Sequence, residues 1–422
     1  MLTRAPKGTK DILPDQSYIW QYIEDNIRDI TGTYGYKEIR TPIFEHTELF
    51  ERGVGDTTDI VQKEMYTFLD KGDRSITLKP EGTAGVARAF IEHSLYAQSQ
   101  PTKLYYVTPV FRYEAPQSGR LRQHHQFGVE VFGAKEPSID AEIIGLAMSL
   151  FNRLGIKELS INISSIGCPK CRPKYQKALK IYLEDRYDKL CTTCQERYER
   201  NPLRILDCKE ESCQRLLSDV PMILDYLCEE CNDHFESLKQ YLQNMGLEYE
   251  INPMIVRGLD YYTKTVFEII ANEGKFKGTV CGGGRYDGLV EECGGPATSG
   301  VGFGMGLDRL IMVMEGQKID IPSNKKLDVY VATIGEAAKF KAMELITEFR
   351  NNHIAADMDH VGRSLKSQFK YSDKLDVPWV CIIGDNELKE NIVKLRDMET
   401  GKEVGVSFDN LINTIAKKTD KI

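Results

Sequence analysis

KLYYVTPVFRYEAPQSGRLRQHHQFGVEVFG, residues 103–133, contains two long strand-like runs around a short polar loop. KLYYVTPVFRYE (103–114) and HHQFGVEVFG (124–133) flank APQSGRLRQ, which contains Gly119. Two such runs joined by a glycine-containing polar loop predict an antiparallel hairpin. A long hairpin places the surrounding domain in the α+β class, built on an antiparallel sheet, and not among doubly wound folds. Arg112 and Glu114 are two apart, so both point to the same face of the first strand; Gln126 and Glu130 share one on the return. A face of Arg, Glu, Gln and Glu packs poorly. It suits a solvated cleft for a zwitterionic or phosphorylated ligand, the alternative being an exposed face with chance ion pairs.

Outward from the hairpin, Asp15 is a candidate N-cap for a helix through Ile19, Trp20, Ile23, Ile27 and Ile30. Ser138 is a candidate cap for a second helix, which ends at Gly155. A helical stretch dotted with cysteines fills about 168–250. Strand character returns in RGLDYYTKTVFEII (257–270), whose front end packs Arg257, Asp260, Tyr261 and Tyr262 into six residues. SGVGFGMGLDRLIMVME (299–315) reads as a glycine-rich strand entering a helix, and EGQKIDIPSNKK as a linker. These features predict one domain over 1–324, with an insertion at about 168–250. The segments after the linker alternate strand and helix, which predicts a smaller α/β domain over 325–422.

Hydrophobic content of 41% and charged content of 28% are ordinary for a globular chain. No run of eighteen apolar residues is present, which argues against a membrane span, and the N-terminus lacks a secretory apolar core. The expected compartment is the cytoplasm. The net charge of −8 announces no nucleic acid, so an RNA partner would need a local basic patch.

At this point the hairpin resembles motif 2 of the class II aminoacyl-tRNA synthetases, and the chain as a whole is similar to the bacterial histidyl-tRNA synthetases. GVGFGMGLDRL resembles motif 3 and GYKEIRTPIFE motif 1, with Pro42 at a dimer interface. KPEGTAGVARA resembles the segment supplying amino-acid ligands; RGLDYYTKTVFEI and GGGRYDGL resemble blocks peculiar to the histidine enzymes. The resemblance implies a homodimeric ligase that joins L-histidine to ATP, with Mg²⁺ accompanying the triphosphate, and charges histidine tRNA. It implies a histidine site of Glu81, Gly82, Thr83, Arg112, Gln126, Glu130, Arg257, Tyr261 and Tyr262. Glu81 and Gln126 would hold the α-ammonium, while Glu130 and Tyr262 would contact the imidazole. Arg112, Glu114, Arg120, His124 and Arg309 would hold ATP, and Arg257 and Arg112 would act at the α-phosphate. His124 stands where the family usually has phenylalanine, and Ala115 where many bacterial members have a basic residue. Gln117 and Arg122 remain as contacts for the tRNA end. Silent relatives that regulate ATP phosphoribosyltransferase lack the arginine of RGLDYYT and the C-terminal domain, both present here.

The C-terminal segment resembles the anticodon-binding domain of class II synthetases. There VGRSLKSQFKYSDKL offers Arg363, Lys366 and Lys370 around Phe369 and Tyr371, a composition suited to unstacked RNA bases, or equally to a solvated helix face. Eight of eleven cysteines form the pairs CPKC, CTTC, CKEESC and CEEC. Such pairs in a reducing compartment suggest a structural Zn²⁺, inert thiols being the alternative. Spacing puts Cys168, Cys171, Cys191 and Cys194 first, and a metal there is expected to serve the insertion and not catalysis.

Overall fold

The computed structural model describes residues 3–419 except 56, 57, 59, 118, 273, 274 and 323–326. The chain divides into two compact units, Met1–Pro322 and Ser323–Ile422. The boundary expected at 324/325 lies outside the described residues.

An eight-stranded sheet organises the first unit. Its strands run in the order Lys37–Glu38, Thr102–Phe111, Gln123–Phe132, Gly300–Gly306, Gly278–Arg285, Thr263–Ala271, Leu159–Ser165 and Glu250–Ile251. Only the two outermost pairings are parallel. The predicted hairpin is present, with Thr102 opposite Phe132 and Phe111 opposite Gln123. Strict alternation separates its faces. Phe127, Val129, Val131, Val301, Phe303 and Met305 join the main core, with Ile23, Ile27, Ile143, Leu150 and Leu310 of the covering helices. Gln126 and Glu130, along with the glycines of Gly300–Gly306, fall on the opposite face.

Three local expectations shift. The helices begin at Pro14 and Pro137, each with proline in the first turn, so Asp15 and Ser138 lie inside the first turn and cap nothing. The first hairpin strand stops at Phe111. Beyond it the Tyr113 N–H donates to the Glu64 carbonyl at 2.7 Å and the Glu114 N–H to the Arg112 carbonyl at 2.8 Å, which pulls the backbone out of the ladder. Arg112 and Glu114 therefore extend from a loop, not a strand face. The insertion is built from short helices, Arg172–Glu184 and Thr192–Arg200 among them, around its own core of Tyr175, Leu179, Leu183 and Ile205.

The second unit has a five-stranded sheet in the order Ala356–Met358, Val329–Thr333, Trp379–Ile383, Ile392–Asp397 and Glu403–Ser407. Helices Glu336–Asn351 and Leu365–Lys374 pack on it. Among the described residues no helix is long and apolar enough to cross a membrane.

Candidate active site

Glycine alternation in Gly300–Gly306 makes room for polar side chains on the neighbouring hairpin strand. Gly302 pairs with Glu130, and Gly304 lies two residues along the same face. A Cβ at Gly302 would run into Glu130 Oε2, and one at Gly304 into Gln126 Nε2. The glycines that resemble motif 3 thus have a packing reason beside any ligand reason.

Glu130 is fully buried. Its Oε1 accepts from Thr83 Oγ1 at 2.8 Å and Tyr106 Oη at 3.1 Å, and its Oε2 accepts from the Tyr286 hydroxyl. Burial pushes its carboxyl up to about 8 against the pull of those hydroxyls. Tyr261 and Tyr262 pack beside this group, with ring centroids 4.8 Å apart, and Tyr261 meets Tyr286 edge-on at 5.4 Å. Glu81 sits at the start of helix Thr83–Glu92, where its two oxygens accept the N–H groups of Thr83 (2.6 Å) and Ala84 (2.8 Å). Gln126 Oε1 accepts the Gly82 N–H at 3.2 Å. The structure therefore brings Glu81, Gly82, Thr83, Gln126, Glu130, Tyr261 and Tyr262 together.

Beside this cluster, and sharing Gln126 with it, lies a cavity of about 490 Å³, lined by Arg112, Arg120, His124, Arg257 and Arg309 among others. Arg112 Nε donates to the Pro80 carbonyl at 2.8 Å. Arg309, in the first turn of helix Leu307–Gly316, donates to the carbonyls of Gly119 (2.9 Å) and Thr279 (3.1 Å). Arg257 pairs with Glu268, and its Nε is buried with no hydrogen-bond partner. Glu114 pairs with Arg120 at 3.3 Å. Burial, then the positive charge of Arg112, drives the His124 imidazole down to about 3, so the ring is neutral at physiological pH. A neutral ring next to guanidinium groups is compatible with stacking on a base.

The remaining candidates are more dispersed. Gln117 and Arg120 pair across the loop by backbone hydrogen bonds of 2.9 and 3.2 Å. Arg122 lies 3.9 Å over the Tyr113 ring and its backbone N–H donates to the Gly8 carbonyl. In the second unit Arg363 pairs with Asp359 at 2.8 Å and lies 4.1 Å over the Tyr371 ring, whereas Lys366 and Lys370 are exposed one helical turn apart.

The cysteine grouping expected from spacing is corrected. Cys168 and Cys171 converge with Cys228 and Cys231, and Cys191 and Cys194 converge with Cys208 and Cys213. Local spacing pairs each CxxC correctly but says nothing of which pairs the chain folds together. In the first cluster Sγ–Sγ distances are 3.7, 3.8 and 3.8 Å, and in the second Cys191 and Cys208 lie 3.9 Å apart. Four thiolates at the usual Zn–S length of about 2.3 Å span tetrahedral edges of about 3.8 Å, so the donors fit the ion. The insertion reaches the cavity, which the sequence did not indicate: Asp207 and Lys209 line its wall.

Sequence reasoning missed three residues. Tyr106 and Tyr286 are two of the three hydroxyl donors to Glu130. Arg285, buried, pairs with Asp140 and fixes the strand end from which Tyr286 projects. GGGRYDGL held the signal for the last two; Tyr106 looks like any strand tyrosine.

The family model described as histidyl-tRNA synthetase matches residues 8–181 and 184–310, and the anticodon binding domain model matches 328–418. The histidine–tRNA ligase of Alkaliphilus oremlandii is 58% identical over 97% of this chain and 98% of its own length. That of Thermoanaerobacter pseudethanolicus is 60% identical over the same shares. The crystal structure of apo S. aureus histidyl-tRNA synthetase superposes with a TM-score of 0.84 at 40% identity, covering 98% of this chain and 99% of that one. With the family model spanning most of the larger unit and full-length relatives at this identity, the chain belongs to the histidyl-tRNA synthetase family.

Proposed function

We propose that the chain activates L-histidine with Mg²⁺-bound ATP and transfers it to the 3′ end of histidine tRNA. The observation that carries this reading is the adjacency of two unlike groupings on one face of the sheet. One is a buried carboxylate ringed by hydroxyls, and the other an open cavity lined by Arg112, Arg257 and Arg309.

Neutral imidazole offers one N–H and one lone pair. Glu130 in its ionised form accepts the N–H on its remaining lone pairs, and Tyr262 donates to the other nitrogen. Apolar side chains are rejected because they leave these buried groups unpaired. Glu81 and Gln126 orient the α-ammonium, so that the histidine carboxylate faces the α-phosphate. The carboxylate attacks in line and pyrophosphate leaves, with no protein nucleophile required. Arg112 and Arg257 stabilise charge gathering on the phosphorus, a fixed electrostatic contribution that needs no reorganisation. Arg257 is suited to this because Glu268 and Gly282 confine its guanidinium. Arg309, Glu114 and Arg120 hold the nucleotide, and His124 lies against the adenine.

Exposed Ile43, Phe44, Phe68 and Leu69 lie on or beside the small sheet of Phe44–His46, Ser75–Leu78 and Tyr66–Leu69, next to Pro42. An apolar patch of this kind supports a homodimer. The second unit binds the anticodon loop through Lys366, Lys370 and Arg363, while Gln117 and Arg122 stand closest to the acceptor end. Each cysteine cluster holds one structural Zn²⁺, and the working compartment is the cytoplasm. Charging of a histidine tRNA transcript by the purified protein, with histidine and not with other amino acids, tests the reading.

A further inference from the structure

The stretch from Arg204 to Lys209 touches three things in six residues. Arg204 donates to the carbonyls of Arg257 (3.3 Å) and Gly258 (3.1 Å), so the insertion holds the backbone that presents Arg257. Cys208 belongs to the second cysteine cluster. Its flanking residues, Asp207 and Lys209, line the arginine-rich cavity. They also line an adjoining cavity of about 590 Å³, which shares Arg112, Arg120 and Arg309 with the first and reaches Cys191 and Cys208. The two cavities therefore adjoin along shared walls, Lys209 among the residues common to both, and Cys191 and Cys208 line the second.

We propose that a zinc ion on Cys191, Cys194, Cys208 and Cys213 fixes Lys209 at this shared wall, where its ammonium binds the polyphosphate of ATP and of the departing pyrophosphate. The proposal rests on the zinc reading above. Lys209 is exposed and lines the same cavities as Arg112, Arg120 and Arg309, alongside the acidic Glu114 and Asp207, so a fixed backbone governs which of these groups its ammonium joins. The cluster supplies that rigidity. The Cys208 N–H donates to the Ile205 carbonyl at 3.0 Å, Gln214 Nε2 to the Cys208 carbonyl at 3.2 Å, and the Cys191 N–H to Cys213 Sγ at 3.2 Å. Zinc on the four thiolates locks the turn from which Lys209 extends. Lysine is a suitable phosphate ligand as a point charge, and no bond is made or broken at it.

The test uses the full-length protein, zinc analysis and histidine-dependent ATP–pyrophosphate exchange. Wild type should carry two zinc ions per chain. Lys209→Ala should keep both and raise the KM for ATP about tenfold, the scale of one lost charged contact, with the KM for histidine unchanged. Lys209→Arg should recover most of the loss. Cys208→Ser should retain one zinc and show the same rise in the KM for ATP. An unchanged KM for ATP in Lys209→Ala overturns the proposal, including the outcome in which only tRNA charging suffers. A Cys208→Ser protein that loses its zinc yet keeps the wild-type KM for ATP overturns the positioning role of the metal. If that variant does not fold, the two lysine variants with intact zinc decide the role of Lys209. Wild type without zinc refutes the zinc reading itself, a failure the metal analysis separates from the rest.

Discussion

The Thr83 hydroxyl, at the start of one helix, donates to Glu130 Oε1, near the end of a sheet strand, at 2.8 Å. With Tyr106 and Tyr286 it makes a ring of three hydroxyls around a single buried carboxylate. In the ionised form each donor fills one acceptor position of a group that has about four, so the directions left open are preset once the carboxyl gives up the proton it holds below about pH 8. A preset acceptor is what a pocket selective for an imidazole N–H requires.

Glu130→Gln should therefore weaken histidine binding more than ATP binding. An amide presents a donor where the carboxylate had an acceptor, and it faces three hydroxyls already turned to donate. Isothermal titration with each ligand checks this; reduced ATP affinity with unaltered histidine affinity would move Glu130 to the nucleotide site.

The same carboxylate predicts a pH dependence of stability. Its folded value of about 8 lies above an unfolded glutamate value of about 4.3. The folded state thus binds the proton more tightly, and this contribution is complete below about pH 4.3 and lost as pH rises through about 8. Glu130→Gln has no such group. Its melting temperature relative to wild type should climb from pH 6 to pH 9 in the absence of histidine. A constant difference over that range contradicts the assignment.

Tyr286→Phe removes one donor and leaves Glu130 Oε2 without a protein partner. A buried acceptor so stranded costs about 1–3 kcal/mol. Denaturant unfolding should show the loss, and the KM for histidine should rise with little change in the KM for ATP.

These residues also mark where the sequence was legible. The hairpin and its two faces could be read because alternation has a period of two and the core face is continuous from Phe127 to Val131. Glu130, Gln126 and the tyrosine pair could be named from motifs that resemble the family's. Tyr106 could not, because its function arises from strands that meet only in the folded sheet, and Tyr286 went unnamed although GGGRYDGL contains it. The cysteine pairing failed for the same reason, since Cys168 and Cys228 lie 60 residues apart and join only when the insertion closes. Arg112 and Glu114 were placed on a strand because alternation continues through them, whereas a tertiary hydrogen bond to Glu64 ends the ladder.

Arg257→Ala should lower adenylate formation by about 10²–10³ while sparing histidine affinity, as expected for charge stabilised mainly in the transition state. Rapid-quench measurement of the single-turnover rate separates the two effects. A loss confined to histidine affinity would contradict the role.

The central claim is that the two adjoining pockets join histidine to ATP. Exchange of labelled pyrophosphate into ATP by the purified protein, without tRNA, measures that step alone. The account predicts exchange that depends on L-histidine, is absent with other amino acids and falls sharply in Arg257→Ala. Exchange that is absent with histidine, or equal with an apolar amino acid, would contradict it.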